Sequence, residues 1–205
     1  MKTRIAMAVL LAAAVSFAAA QETKSGGKGK KVAARDYANT IATLQTDAGD
    51  IQIKFFYDKA PNHVKNFVDL SAEGFYNGTV FHRVIPGFMI QGGDPNTKKP
   101  EDPNHLWGTG GNGTNRLKAE FNDTPHKRGV VSMARAADPN SASSQFFIVV
   151  KDSNFLDNQY TAFGEVISGM DVADKIATAP RGANDRPNQP VHIKKVLLSQ
   201  AKSTS

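Results

Sequence analysis

The sequence predicts a mainly β fold, a closed eight-stranded antiparallel β-barrel capped by two α-helices, and three observations carry that expectation. The apolar runs are short and bounded by turn residues, as strands are. Only two segments show helical periodicity, and they do not alternate with the strands, which disfavours a βαβ sheet. Twelve Phe stand against one Trp, so the core is built on phenylalanine.

The chain of 205 residues opens with Lys2 and Arg4, an apolar run over 5–17, and Ala18-Ala19-Ala20. This is the pattern of a secretory signal cut after Ala20. The run is shorter than the roughly 20 residues of a spanning helix, so no stable membrane span is expected after cleavage and a periplasmic or secreted protein is. Residues 21–40 read as a flexible Gly/Lys-rich tether, 41–199 as one domain, and 200–205 as a tail.

Strand alternation begins at Ile41. Ile51, Ile53 and Phe55 point one way, and Asp47-Ala-Gly-Asp50 turns the chain between strands at 42–46 and 51–56. Pro61 suits a first helical position, Val64, Phe67, Val68 and Leu70 form one apolar face, and Gly74 can end that helix. Further strands are expected at 79–84, 89–92, 130–134, 145–150, 162–166 and 191–198. A second helix starts at Ser168-Gly-Met-Asp171, which resembles a capping box, with Val172, Ala173, Ile176 and Ala177 on its apolar side.

Charge and composition exclude several functions. The formal charge of +6 lies wholly in the first 35 residues, where Lys2, Arg4, Lys24, Lys28, Lys30, Lys31 and Arg35 face Glu22 alone; from Asp36 onward basic and acidic residues balance. Nucleic-acid binding, which depends on phosphate neutralisation, would rest on a short tail and is not expected. Absence of Cys excludes a disulfide framework, a thiol nucleophile and a Cys-ligated zinc. The five histidines show no metal spacing. Gly108-Thr-Gly-Gly-Asn-Gly113 satisfies G-x-G-x-x-G, but a loop precedes it and no helix follows, so it reads as a loop and not as a dinucleotide site.

Two stretches can carry chemistry. In Phe81-His-Arg-Val-Ile-Pro-Gly-Phe-Met-Ile-Gln-Gly-Gly-Asp94, a strand over 79–84 would put Phe81 and Arg83 on one face, and the Pro86-Gly87 turn would return Phe88 beside Arg83. In Ser144-Gln-Phe-Phe-Ile148, Gln145 and Phe147 share one face and Phe146 and Ile148 the other, so one Phe is core and the other stands outside it with a Gln.

These stretches, with Val131-Ser-Met-Ala-Arg-Ala136 and Thr161-Ala-Phe-Gly-Glu-Val166, resemble the cyclophilins in the same order along the chain, over about residues 40–198. The resemblance implies prolyl cis/trans isomerase activity on proline-containing polypeptides, no cofactor and a monomer. It places the catalytic arginine at Arg83 with Gln91 beside it, the proline pocket at Phe88, Met89, Phe147 and Leu156, and further substrate contacts at His82, Ala134, Arg135, Ala136, Gln145, Phe155 and Tyr160. Three positions depart from the family pattern. Phe155 stands where cyclosporin-sensitive members carry Trp, Tyr160 where many carry His, and Arg135 where many carry Asn, so weak cyclosporin binding is expected. Rotation about a peptide bond breaks no bond and needs no nucleophile, only a fixed donor for the prolyl nitrogen as it loses resonance. Arg83 suits that task, and Gln91 is expected to hold its guanidinium. The alternative is a non-catalytic module that grips proline segments, which would need the apolar pocket more than the charged donor.

Overall fold

The computed structural model describes residues 35–99 and 106–201, so the signal, most of the tether and residues 202–205 lie outside the described residues. The first hairpin pairs β1, Thr40–Thr46, with β2, Asp50–Phe55. Helix α1, Pro61–Ala72, follows; then come β3 at Thr79–Val80, β4 at Arg83–Ile85 and β5 at Met89–Gly92. The second half supplies β6 at Val130–Met133, β7 at Phe146–Val149, β8 at Ala162–Ser168, helix α2 at Met170–Ala177, and β9 at His192–Gln200. All pairings are antiparallel, in the order β3-β9-β1-β2-β8-β6-β7-β5-β4.

Among the described residues nine strands stand where eight were expected, because the segment 79–84 is two strands. Phe81 N–H donates to the Val191 carbonyl on the β9 side, and His82 N–H donates to the Gln91 carbonyl of β5. Two successive residues thus bond to opposite ends of the sheet, and the chain itself joins the ends of the curl. The bend also separates the two side chains expected on one face: Phe81 is wholly buried in the core, while Arg83 stays partly exposed.

Inside the curl, α1 presents Val64, Phe67, Val68 and Leu70, all buried. Phe67 is the hub, with ring centroids 4.9 Å from Tyr76, 5.2 Å from Phe146 and 5.5 Å from Phe163. Such aromatic contacts add stability beyond their buried area. Helix α2 buries Ala173, Ile176 and Ala177 as its apolar stripe requires. Its expected Ser168 cap is absent, because Gly169 is the N-cap residue, with φ 89° and no capping side chain. A Cβ at Gly169 would lie 2.2 Å from the Asp50 carbonyl, so close approach to β2, not capping chemistry, selects the residue. Residues 35–40, assigned to the tether, pack on the body: Arg35 pairs with Asp69 at 2.7 Å and the Tyr37 hydroxyl donates to the same carboxylate.

Helix α1 has no cap from its own sequence, since Ala60 precedes Pro61. Glu120, 58 residues away, supplies it: its carboxylate accepts from the Asn62 and His63 N–H groups at 3.1 and 3.0 Å, and from His63 Nδ1 at 2.6 Å. These are the two donors a capping side chain normally takes. Burial pushes the Glu120 carboxyl up, but the bonds from His63 and Asn62 outweigh it and hold the pKa below its ordinary value. Burial likewise holds His63 below its ordinary value, against the opposing pull of Glu120. Below pH 6.5 the unfolded chain protonates His63 before the folded one does, and below pH 4.5 the same holds for Glu120, so both remove stability as pH falls. Thermal unfolding should therefore show a midpoint that drops between pH 7.5 and 5.5, and Glu120→Ala should cost about 1–2 kcal/mol at neutral pH.

Candidate active site

The barrel wall β4-β5-β7-β6 has two faces. Val84, Ile90, Phe146, Ile148 and Val131 point inward and are buried in the main core. One residue along, the alternation turns Arg83, Gln91, Phe147 and Ser132 outward, and the register places them in a single row: Arg83 opposite Gln91, Gln91 opposite Phe147, Phe147 opposite Ser132. Met89, Phe147, Val149 and Leu156 form a second apolar cluster on this outer face, edged by Phe88, Ala134 and Tyr160. The hollow over it holds about 120 Å³ and is lined by Arg83, Phe88, Met89, Phe147, Leu156 and Tyr160, among others. The residues expected to form a proline pocket thus come together.

The polar groups around the hollow are linked differently from the expectation. Gln91 does not hold the guanidinium; its amide nitrogen donates to Gln145 Oε1 at 2.9 Å. Gln145 in turn donates to the carbonyls of Gly108 and Gly110 at 3.0 and 2.8 Å. The Gly108–Gly113 segment is therefore fastened from one side by Gln145 and from the other by Asp94, whose carboxylate accepts from the Gly108 and Gly110 N–H groups. A Cβ at Gly110 would meet Asp94 Oδ1 at 2.1 Å, which requires glycine there. The partner of Arg83 is Asp185, with Nε to Oδ2 at 3.3 Å. This leaves both terminal nitrogens of Arg83 without a protein acceptor among the described residues, beside the hollow.

Two further hollows adjoin the first. One, of about 200 Å³, lies beyond Ala134–Ala136 and is lined by Thr109, Gly110, Arg116 and Ser143. The other, of about 600 Å³, is walled by His82, Trp107 and the 184–186 loop. His82 thus faces this neighbouring cleft and not the apolar hollow. Its ring is buried, neither nitrogen bonds a protein atom among the described residues, and burial lowers its pKa against the pull of Asp94. Asp185 and Arg186 were not anticipated. Asn184 and Asp185 take left-handed φ of 59° and 57°, which Asn-Asp permits, but nothing in the sequence ties that turn to Arg83, 102 residues earlier.

The cyclophilin-type peptidyl-prolyl cis-trans isomerase family model matches residues 41–197, all but the outermost residues of the first and last strands. The chain belongs to that family. It is 44% identical over 184 residues to a probable peptidyl-prolyl cis-trans isomerase of Brucella abortus, covering 88% of this chain and 93% of that one. It is 44% identical over 174 residues to peptidyl-prolyl cis-trans isomerase B of Escherichia coli K12, covering 78% of this chain and all of that one. The crystal structure of a Cryptosporidium parvum cyclophilin type peptidyl-prolyl cis-trans isomerase, in the presence of the dipeptide Ala-Pro, superposes with a TM-score of 0.70 at 32% identity, covering 78% of this chain and 99% of that one.

The cyclophilin fold also explains a constellation that would mislead on distances alone. His126 Nδ1 lies 2.9 Å from Asp157 and Nε2 lies 3.1 Å from Ser132 Oγ, the order of a hydrolase triad. Ser132, opposite Phe147 in the ladder, is wholly buried, and the His126 ring stacks on Phe147 with centroids 6.2 Å apart. The three buttress the pocket floor and cannot reach a substrate. At the rim, Phe155 is 65% exposed and touches Phe88 at 5.4 Å between centroids, without lining the hollow. Tyr160 packs edge-on to Phe147 at 5.6 Å and carries the Arg135 guanidinium 4.7 Å over its ring.

Because Gln145 fastens the glycine loop through two carbonyls, Gln145→Ala should raise amide hydrogen exchange over 108–113 by about tenfold or more while β7 stays protected.

Proposed function

We propose that this cyclophilin accelerates rotation of X–Pro bonds through Arg83, with the proline ring held on Phe88, Met89, Phe147 and Leu156. The observation that carries the reading is the guanidinium fastened at Nε by Asp185 while its terminal nitrogens have no acceptor among the described residues and stand beside the apolar hollow. An unaided X–Pro bond turns over in tens to hundreds of seconds against a barrier of ~18–20 kcal/mol. As the C–N bond twists, the prolyl nitrogen regains a lone pair, and a donor placed for that pair stabilises the twisted state more than either planar isomer. The guanidinium of Arg83 carries N–H donors and no acceptor, so it can only donate to that lone pair. The apolar floor holds the ring while the acyl side rotates, and its low dielectric strengthens the donor contact. No covalent bond is made or broken, so the chemistry requires no cofactor. Gln91 and Gln145 shape the floor and the loop beside it; Ala134, Arg135 and Ala136 edge the groove along which the substrate backbone runs.

A donor of this kind is worth about 3–4 kcal/mol in the transition state. Arg83→Ala should lower kcat/KM by about 10²–10³-fold in a proline-peptide isomerisation assay, with the circular dichroism and thermal midpoint of the fold retained. A rate near that of the unsubstituted protein would remove Arg83 from the mechanism.

Two extensions follow from the sequence. The exposed Phe155 offers no indole N–H at the rim, and the protein should bind cyclosporin weakly; Phe155→Trp should raise the affinity, read by calorimetric titration. The leader over 1–20 supports export to the periplasm or medium. Fractionation of cells expressing the full chain should yield an extracytoplasmic protein whose first residue is Gln21, and recovery of the intact chain in the cytoplasm would overturn the export reading.

A further inference from the structure

Around the apolar hollow the charge is distributed unevenly. The three adjoining hollows are lined by Arg83, Arg116, Arg135 and Arg186, and the only acidic lining residue among those described is Asp185. Yet basic and acidic residues balance from Asp36 onward. Four other carboxylates pair with cations outside the lining, Asp69 with Arg35, Asp152 with Lys127, Asp174 with Arg128 and Asp47 with Lys194, and the buried Asp94 turns its carboxylate to the N–H groups of Gly108 and Gly110. The groove is a cationic strip on a formally neutral body.

Arg135 sits where the strip converges, because it lines all three hollows. Its guanidinium is fixed without a carboxylate. Nε donates to the Gln159 carbonyl at 3.1 Å, one terminal nitrogen donates to the carbonyls of Ala136 and Ala137 at 2.9 and 3.2 Å, and the plane lies over Tyr160. The other terminal nitrogen has no acceptor among the described residues. Arg116 is held the same way, by the carbonyls of Gly113 and Asn115. Carbonyl oxygens and a ring face orient a guanidinium without cancelling its charge, so Arg135 is preorganised for an anion that the described residues do not supply.

We infer that this groove selects proline segments carrying a carboxylate side chain close to the proline, and that Arg135 is the residue that reads it. The inference rests on the reading of the groove as the proline-peptide site. It names the substrate class as acidic, Asp- or Glu-bearing segments. Arg135 is partly exposed, so the discrimination is that of a surface ion pair, about two- to fivefold between Glu and Gln.

The test uses proline peptides capped at both ends, with Glu, Gln or Lys at each of the three positions before proline, and isomerisation followed by NMR exchange so that no second enzyme contributes its own preference. At one or more positions the Glu peptide should exceed its Gln counterpart in kcat/KM by about two- to fivefold at low ionic strength, and Lys should fall below Gln. The Glu/Gln ratio should shrink toward one as salt shortens the reach of the charge. In Arg135→Gln the ratio itself should fall toward one whatever the absolute rate, and in Arg135→Lys it should stay above one. Equal Glu and Gln rates at every position, or a ratio unchanged in Arg135→Gln, would overturn the inference while leaving the isomerase reading intact. If Arg135→Gln does not fold, the salt dependence of the ratio in the unsubstituted protein decides. Failure to turn over any peptide would defeat the isomerase reading instead, and Glu against Gln dissociation constants from chemical-shift titration would then decide the charge preference.

Discussion

The alternation of side chains across β4, β5, β7 and β6 is the constraint on which both the fold and the site depend. In β5 and β7 adjacent residues belong to different apolar clusters, Ile90 and Phe146 to the barrel core, Met89 and Phe147 to the outer floor. A slip of one residue in any pairing would exchange the two sets and destroy both at once. The inner cluster therefore fixes the register of the outer one. Arg83, Gln91 and Phe147 are aligned because Val84, Ile90 and Ile148 are packed beneath them. The site inherits its precision from the core, which needs no catalytic reason to be well packed.

That rigid row is completed by polar groups that reach it from loops. Asp185 fastens Arg83 by its Nε, and Asp185 is itself shared with Arg181 at 3.3 Å. Gln145 links Gln91 to two carbonyls of the glycine loop. Below the floor, His126 bridges Asp157 and Ser132 and stacks on Phe147. The burial of Asp157 raises its pKa, but the backbone and ring bonds from His126 and that from Asn154 prevail and hold it below the ordinary carboxylate range. Each of these bonds leaves the face toward the hollow free while removing freedom behind it, which is what a preorganised donor requires.

Much of this was legible in the sequence, for local reasons. The β1–β2 hairpin, the apolar stripe of α1 and the division of Phe146 from Phe147 all follow from period and turn chemistry over a few residues. What escaped the reading is non-local or set by the backbone. The break between β3 and β4 arises because Phe81 and His82 bond to opposite ends of the sheet, and no property of Thr79-Val-Phe-His82 marks that junction. Ser168 has the composition of a cap, yet the approach of β2 places Gly169 in that role. The resemblance put Gln91 beside Arg83, and the ladder does place the two opposite each other, but Gln145 competes for its amide and a loop 102 residues from Arg83 delivers the carboxylate. Ladder position predicts neighbours, while hydrogen-bond partners depend on what else arrives.

The same distinction governs how the charge of the chain should be understood. A pI near 9.5 reflects the leader and its following segment, and the balance from Asp36 onward would suggest a body without electrostatic character. Net charge, however, sums over the surface, whereas a peptide in the groove feels charges within about a Debye length of it. Within that range the lining contributes four arginines and one aspartate. Asp185 is engaged twice, by Arg83 and Arg181, so its charge is already matched. Arg116 and Arg135 are oriented by carbonyls that carry no net charge. A neutral domain can thus present a cationic site, because several of its carboxylates pair with lysines and arginines outside the lining. The resulting field acts on the encounter with substrate as well as on the bound state, and a basic groove on a neutral body favours acidic segments without attracting polyanions to the whole surface.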